Sequence, residues 1–227
     1  WTDPAGNLVV HLGTRVIVAG RVEPPGEIDE FVYPTRGELP GPISLKDDVE
    51  TFRPGNILRP ILDTWQWQRP GVDPHLLLGW IGGAFLGAAL PWRPMVWLTG
   101  GKGTGKSSLQ TLVKGVLGDW LVDTADTTAA GIYQRVGLDS VPIAVDELEA
   151  EADNQRAVAV IKLARLASSG AAMLRGGSDH KGTEFAARST FLFSSINVPP
   201  LRAQDLSRMA LLSIDRFKPD QVEPKLD

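Results

Sequence analysis

The feature that most constrains this chain is the stretch MVWLTGGKGTGKSSL at residues 95–109. It begins as a short apolar run typical of a buried strand, passes through several glycines, and continues as a sequence typical of a helix. The pattern G-x-x-x-x-G-K-[ST] is met by Gly100, Gly105, Lys106 and Ser107. Glycines let the backbone turn tightly enough to aim its N–H groups at phosphate oxygens, and the amino end of the next helix adds partial positive charge. The stretch therefore predicts a phosphate-binding loop between a strand and a helix.

We interpret this loop as an ATP site. The Lys106 side chain is placed to reach the β- and γ-phosphates, and the Ser107 hydroxyl to bind Mg²⁺. The alternative interpretation is a glycine-rich turn in a purely structural strand–helix unit, which leaves Lys106 unexplained. The predicted ATP-binding residues are Gly100, Gly101, Lys102, Gly103, Thr104, Gly105, Lys106, Ser107 and Ser108.

The composition excludes several other kinds of site. The 227 residues include no cysteine, which excludes disulfides and thiolate metal sites. The three histidines, His11, His75 and His180, are far apart in the sequence, so no zinc site is expected. The net charge is −4, so any contact with nucleic acid must come from a local basic patch.

The most apolar run, residues 76–90, is too short to cross a membrane. It has about fifteen residues interrupted by glycines, whereas a membrane-spanning helix needs about twenty. We therefore expect a buried helix and no membrane partner. The chain begins at Trp1 without a signal-peptide pattern, and we expect it to be a piece of a larger polypeptide.

Changes in composition and apolar pattern along the sequence predict four parts. Proline- and glycine-rich sequence with short apolar runs indicates a small β-rich module at the amino end, which opens with a hairpin over residues 8–12 and 15–19. Two helices are predicted next, over residues 57–68 and 73–90, the second with Asp73 as its N-cap. The predicted parts are the amino-terminal module 1–55, the helical segment 56–94, the ATPase core 95–217 and a polar tail 218–227.

Strand-like and helix-like segments alternate after the glycine motif. This alternation predicts an α/β fold, a mostly parallel sheet with helices on both faces. The predicted strands after residues 95–99 are 120–123, 141–145, 190–196 and 210–214, and the predicted helices are 107–117, 127–136, 151–168 and 204–209.

An acidic pair follows one of these strands. Asp146 and Glu147 come directly after Val141–Val145, about forty residues after Lys106. Open α/β sheets bind ligands at the carboxyl ends of their strands, so Asp146 is predicted to hold Mg²⁺ and Glu147 to polarise an attacking water. The alternative is that the acids cap the next helix.

Two further polar residues fit a site for ATP hydrolysis. Asn197 follows the strand 190–196, where its amide could hold the attacking water or contact the γ-phosphate; the alternative is ordinary turn chemistry before Pro199. Arg208 could complete the site of a neighbouring subunit as an arginine finger, with Arg202 as the second candidate. The alternative for Arg208 is a helix-surface arginine paired with Asp205.

The last candidate feature is a polar hairpin over residues 174–188. Its ends are glycine-rich, and His180 and Lys181 lie near its predicted tip. In a ring of subunits, one lysine per chain would form a positive collar for a phosphate backbone. The alternative is an ordinary solvated turn.

Taken in order, these elements resemble the superfamily 3 helicases, which are AAA+ motors of viral, phage and plasmid replication. The resemblance covers about residues 75–217 and is strongest to the helicase part of phage or prophage primase–helicases. It implies that Lys106 and Ser107 are Walker A residues, Asp146 and Glu147 Walker B residues, and Asn197 the sensor-1 residue. It further implies that Arg208 acts in trans and that His180 and Lys181 contact DNA.

The same resemblance implies partners and a setting. Members of that family form hexameric rings that move on single-stranded DNA using ATP and Mg²⁺. We therefore expect a homo-oligomer, a fused or associated primase, and a place in the cytoplasm of a bacterial host or phage-infected cell. Two other classes stay open: an AAA+ protein remodeller or regulatory switch, and a small-molecule kinase with a glycine loop.

Overall fold

The structure, a computed structural model, describes residues 1–42, 53–125, 127–148, 155–171, 173–176 and 182–217. Three-residue strands make up the amino-terminal region, and strands of three to six residues alternate with helices after it. The strands are β1 Val9–His11, β2 Val16–Val18, β3 Arg21–Glu23, β4 Gly26–Ile28, β5 Phe31–Tyr33, β6 Met95–Gly100, β7 Val122–Thr124, β8 Ile143–Val145, β9 Met173–Gly176, β10 Gly182–Phe185, β11 Phe191–Ser195 and β12 Met209–Ile214. The helices are α1 Pro54–Leu62, α2 Asp73–Leu86, α3 Lys106–Leu117, α4 Ala129–Val136, α5 Gln155–Ser169 and α6 Ala203–Leu206.

A five-stranded parallel sheet forms the centre of the molecule. Its strand order is β12-β6-β11-β8-β7, and every neighbouring pair runs parallel. Strand β11 thus lies between β6, which precedes the glycine loop, and β8, which precedes the acidic pair. This confirms the predicted α/β class with a mostly parallel sheet.

Both faces of the sheet are buried, because alternate side chains point to opposite faces. On one face, Trp97 and Phe193 belong to an apolar cluster that includes residues of α4 and α5. Their rings lie 5.0 Å apart, centroid to centroid. On the other face, Leu98 and Leu192 belong to a cluster with residues of α1, α2 and α3. Helix α3 is therefore fixed against the face on which even-numbered residues of β6 and β11 lie.

A segment ahead of the sheet pairs with its outer strand β12. The N–H of Gln68 donates to the carbonyl of Ser213 (2.9 Å), and the N–H of Asp215 donates to the carbonyl of Gln66 (2.7 Å). Between them, Trp67 and Ile214 form an isolated antiparallel bridge. Residues 65–68, which we call the edge segment, therefore run antiparallel along β12.

The edge segment explains why helix α1 differs from the prediction. A helix was predicted over residues 57–68, but α1 spans Pro54–Leu62 and contains Pro60. The chain leaves the helix after Leu62 because Trp67 turns inward, where it is buried and its indole N–H donates to the carbonyl of Leu62 (2.7 Å). Pairing with β12 thus replaces the last helical turns.

Helix α2 also begins differently from the prediction. Val72, not Asp73, is its N-cap residue, and Asp73 lies in the first turn. The Asp73 carboxylate is fully buried and forms an ion pair with Arg69 at 2.6 Å. Asp73 therefore neutralises a neighbouring cation instead of capping the helix with its side chain.

The amino-terminal strands form a small antiparallel module. Strands β1, β2 and β3 make one antiparallel sheet, and β4 pairs with β5. This confirms the predicted hairpin and β-rich character of the region. The module contacts the rest of the chain through an ion pair between Arg36 and Asp139 and a hydrogen bond from the Trp120 indole to the carbonyl of Pro40 (3.2 Å).

Among the described residues, no helix combines the length and apolar character that a membrane crossing requires. The apolar run at 76–90 instead forms α2 and a following 3₁₀ turn, with Leu77 and Trp80 buried against the sheet.

We expect stability to be most sensitive to the shortening of side chains that are buried in the central sheet. Phe193 is fully buried between β6 and β8, so Phe193→Ala should lower the free energy of unfolding by about 3–5 kcal/mol. Phe31→Ala is the matched control, since Phe31 is 45% exposed in the amino-terminal module, and it should cost far less. Urea unfolding of both variants measures the difference; equal losses would contradict this account of the core.

Candidate functional site

The glycine loop joins β6 to α3 at the carboxyl edge of the sheet. Gly103 and Gly105 have φ angles of +81° and +84°, a left-handed conformation that favours glycine. Gly105 is the N-cap residue of α3; no side chain caps this helix end, and its first turn contains no acidic residue. The first N–H groups of α3 are therefore available to an anion.

Close packing explains the glycine at the start of the loop. A Cβ atom added to Gly100 would lie 2.7 Å from Oγ1 of Thr104 and 2.8 Å from the carbonyl oxygen of Ile214. Thr104 is itself buried, and its hydroxyl donates to the carbonyl of Gly101 (3.0 Å). The motif glycine thus lets the loop fold back against the end of β12.

The rest of the loop is open to solvent. Gly101, Lys102 and Gly103 are exposed, as are Ser107 and Ser108 at the start of α3, whereas Lys106 is half-buried. A half-buried Lys106 is compatible with an ammonium group that lies close to the loop, where an anion would bind.

Asp146 lies across β11 from the loop, in a chain of hydrogen bonds. The Ser194 hydroxyl of β11 donates to Oδ1 of Asp146, and the Gln110 amide of α3 donates to the Ser194 hydroxyl oxygen (2.7 Å). The backbone N–H of Glu147 donates to the same Oδ1 atom (2.9 Å). The Ser194 and Glu147 donors both use one carboxylate oxygen, Oδ1.

These contacts keep the carboxylate ionised. Partial burial alone would raise the pKa of Asp146, but the hydrogen bonds from Ser194, Gln110 and the Glu147 N–H, with the nearby positive charge of Lys106, lower that pKa below its usual value of 3.8. The charge of Lys106 thus acts on Asp146, which indicates that the two predicted site residues lie near each other.

Glu147 has a strained backbone. Its φ angle is +53°, which is uncommon for a residue with a side chain. The bond from its N–H to Asp146 holds this conformation, and the Glu147 side chain is exposed. Strain of this kind costs about 1–3 kcal/mol and often occurs at functional sites.

Asn197 lies at the same edge, just after β11. The turn that carries it is tied to β6, since the Thr99 hydroxyl donates to the carbonyl of Ile196 (2.7 Å). The Ser195 hydroxyl donates to the carbonyl of Asn197 itself (2.7 Å) and accepts from the buried Trp97 indole (2.8 Å). The loop, the acidic pair and Asn197 thus follow three adjacent parallel strands.

Arg208 lies at the opposite edge of the sheet. It directly precedes β12, whose six residues span about 20 Å, so it is distant from the glycine loop of its own chain. Its guanidinium donates to the carbonyl of Gln204 (2.9 Å), while Asp205 pairs with Arg165 (3.0 Å). The alternative that Arg208 pairs with Asp205 is therefore wrong. Arg202 is exposed, directly before α6.

The structure describes the two strands of the predicted polar hairpin. Strands β9 and β10 pair antiparallel, with Gly176 opposite Gly182. His180 and Lys181 lie outside the described residues, so the DNA contact assigned to them stays a prediction.

Four contributors to this edge were missed by the sequence analysis: Trp65, Gln110, Ser194 and Arg216. Two serines at the end of an otherwise apolar strand, at residues 194–195, are a signal that could have found one of them. Gln110 follows Lys106 by one helical turn, a spacing that places both on one side of α3. Nothing in the local sequence points to Trp65 or Arg216.

Comparison with known proteins finds the fold but no relative by sequence. No protein-family model matches the chain, and no curated protein matches it. The chain is similar to the A-form apo structure of the NrS-1 C-terminal region, with a TM-score of 0.51 and 16% identity. It is also similar to an apo structure of the same region (305–718), with a TM-score of 0.51 and 14% identity.

These two likenesses concern the fold. Each covers 85% of this chain but only 45% of the solved chain, so this chain spans less than half of those structures. At such identities the likeness shows a shared α/β architecture and assigns no residue roles.

The hydrogen bonds to Asp146 predict a contribution to stability that depends on pH. Ser194→Ala removes the hydroxyl that donates to Asp146. It should lower the free energy of unfolding at neutral pH by about 1 kcal/mol, a modest loss because the Asp146 carboxylate is partly exposed to water. Since the folded pKa of Asp146 is lowered, the stabilisation is present above about pH 4 and is lost as the pH falls through the folded value. The difference between wild type and variant should therefore shrink as the pH falls below the usual pKa of 3.8 and through the lower pKa of the folded state.

Urea unfolding at neutral pH and near pH 3 measures this difference. Ser213→Ala, on β12, is the control and should show no such pH dependence. A Ser194→Ala penalty that stays constant with pH would contradict the role given to the carboxylate.

Proposed function

We propose that this chain is an ATP-hydrolysing motor that moves along or unwinds DNA in phage, prophage or plasmid replication, of the superfamily 3 helicase type. The observation that carries the proposal is that the uncapped start of α3, with Lys106, and the acidic pair, with Asp146, follow strands on either side of β11 at one edge of the sheet, joined by the hydrogen bonds from Gln110 to Ser194 and from Ser194 to Asp146. A cation and a carboxylate at adjacent strand ends suit a phosphate chain with its metal ion.

The loop residues suit the binding of ATP. N–H groups at the start of α3 would donate to phosphate oxygens, and the Lys106 ammonium would neutralise the β- and γ-phosphates. The left-handed Gly103 and Gly105 give the backbone the shape that this contact needs.

The residues also fit Mg²⁺. Asp146 would offer its ionised carboxylate, and Ser107 offers an exposed hydroxyl. An Mg²⁺ ion here would be bound mainly through nucleotide phosphates and water. When bound, Mg²⁺ would neutralise charge that develops on the phosphates.

Glu147 is the proposed general base. Its carboxylate would accept a proton from water as the water oxygen bonds to the γ-phosphorus and the bond from that phosphorus to ADP breaks. The strained backbone at Glu147 fixes where the side chain leaves the strand end. Asn197, on the neighbouring strand end, would orient the same water.

The position of Arg208 favours an assembly in which the ATP site is shared. Since Arg208 lies at the amino edge of the sheet and the glycine loop at the carboxyl edge, the arginine would serve a neighbouring subunit. We propose a ring, with six subunits as in the family that the sequence resembles.

DNA is the polymer along which we propose that the motor moves. Two solved structures with a similar fold are of the NrS-1 C-terminal region. The hairpin of β9 and β10 would bring His180 and Lys181 to single-stranded DNA, which agrees with a chain of net charge −4 that needs a local basic contact. A primase would lie on a further part of the polypeptide or on a partner.

The first test is ATP hydrolysis with and without single-stranded DNA. The wild-type chain should hydrolyse ATP faster when DNA is present, and Lys106→Ala should abolish hydrolysis because the phosphates lose their cation. Lys114→Ala, at the other end of α3, is the control and should keep wild-type rates. Hydrolysis by a multimeric preparation that DNA leaves unchanged would favour a protein-remodelling ATPase or a switch instead.

The shared site has its own test. Arg208→Ala and Lys106→Ala should each be inactive alone, yet a mixture should regain part of the activity, because mixed interfaces pair an intact Lys106 with an intact Arg208. ATPase assays over a series of mixing ratios measure the rescue. Absence of rescue, or rescue only when Arg202→Ala replaces Arg208→Ala, would contradict the assignment of Arg208.

A further inference from the structure

The glycine loop is held by a tryptophan from outside the strand–loop–helix unit. The Trp65 indole N–H donates to the carbonyl of Gly105 at 2.9 Å. The ring also covers Gly105 closely, since a Cβ atom there would lie 2.9 Å from the indole nitrogen. Trp65 is half-buried, so this contact is partly shielded from water.

An arginine makes a second contact of the same kind. Arg216 follows β12, and its Nε–H donates to the carbonyl of Lys102 at 2.7 Å. The two contacts lie on either side of the turn at Gly103, so both arms of the loop have an external donor.

The two donors belong to one structural unit. Trp65 begins the edge segment, and Arg216 directly follows the residues of β12 with which that segment pairs. The side chain of Trp67, buried beside them, anchors the segment to the end of α1. The backbone segments that carry Trp65 and Arg216 are therefore tied to each other by this pairing.

Peptide geometry gives these contacts a directional effect. In a planar trans peptide the C=O and the following N–H point in opposite directions. A Gly105 carbonyl held toward Trp65 turns the Lys106 N–H away from Trp65, and a Lys102 carbonyl held toward Arg216 turns the Gly103 N–H away from Arg216. The Gly105 carbonyl also accepts the first helical hydrogen bond of α3, from the Leu109 N–H (3.0 Å), so Trp65 adds to that bond in aiming the Lys106 N–H, while Arg216 aims the Gly103 N–H.

We propose that Trp65 and Arg216 are positioning residues that hold the glycine loop in its phosphate-binding shape before nucleotide arrives. The proposal rests on the nucleotide site proposed above. A loop rich in glycine has many conformations to lose on binding, and holding it in the bound shape lowers that cost. Trp65 and Arg216 would therefore raise nucleotide affinity by acting through the loop.

Binding of a fluorescent ATP analogue and of ADP to Trp65→Phe and Arg216→Met is the test. Each variant removes the donor and keeps much of the side chain, so each should raise the Kd about two- to tenfold, the range for one lost hydrogen bond. At saturating ATP, kcat should stay near the wild-type value, because the substitutions affect the loop before binding.

The matched controls are Trp92→Phe and Arg135→Met. Trp92 is 46% exposed, and Arg135 is exposed on α4. Both should bind nucleotide with the wild-type Kd. The melting temperature of each nucleotide-free variant should shift no more than that of its control, which separates positioning from a general loss of stability.

The outcomes separate the two proposals. If the wild-type chain binds no nucleotide, or binds it equally well as Lys106→Ala, the proposed function fails. If the wild type binds and Lys106→Ala does not, unchanged Kd values in Trp65→Phe and Arg216→Met overturn the positioning role alone. Kd losses accompanied by a drop in the nucleotide-free melting temperature beyond the control's would also overturn it.

Discussion

The common direction of β6, β11 and β8 is the constraint on which the rest of the site depends. Parallel strands end at one edge, so the glycine loop, the acidic pair and Asn197 meet although long stretches of sequence separate them. The central position of β11 adds to this effect, because its Ser194 hydroxyl connects α3 to Asp146. Burial of both faces of the sheet keeps these strand ends in register.

Much of this arrangement follows from local sequence. The apolar run before the glycines, the turn glycines and the acidic residues after residues 141–145 predicted where strands end and where polar groups would lie, and the structure places them at one edge. The strand order did not follow from the sequence, since it depends on which helices cover each face. For the same reason the bond from Ser194 to Asp146 could not be predicted: it requires β11 to lie beside β8.

The misplaced end of helix α1 shows how tertiary contacts override a local pattern. Residues 57–68 have helical periodicity, yet the chain leaves the helix after Leu62. Instead, Trp67 is buried, its indole N–H donates to the carbonyl of Leu62, and the backbone of residues 66–68 pairs with the end of β12. Asp73 differs from its predicted role for a similar reason, because Arg69 lies close enough to neutralise its buried carboxylate.

The edge segment has one more consequence, which concerns association between chains. The outer strand of a sheet presents unpaired N–H and C=O groups that invite pairing with another molecule. Residues 65–68 occupy that position along β12, while the other outer strand, β7, is only three residues long and carries Asp123. The edge segment that carries Trp65 therefore also covers the carboxyl end of β12, so a substitution that released it would expose backbone groups prone to pairing with another chain.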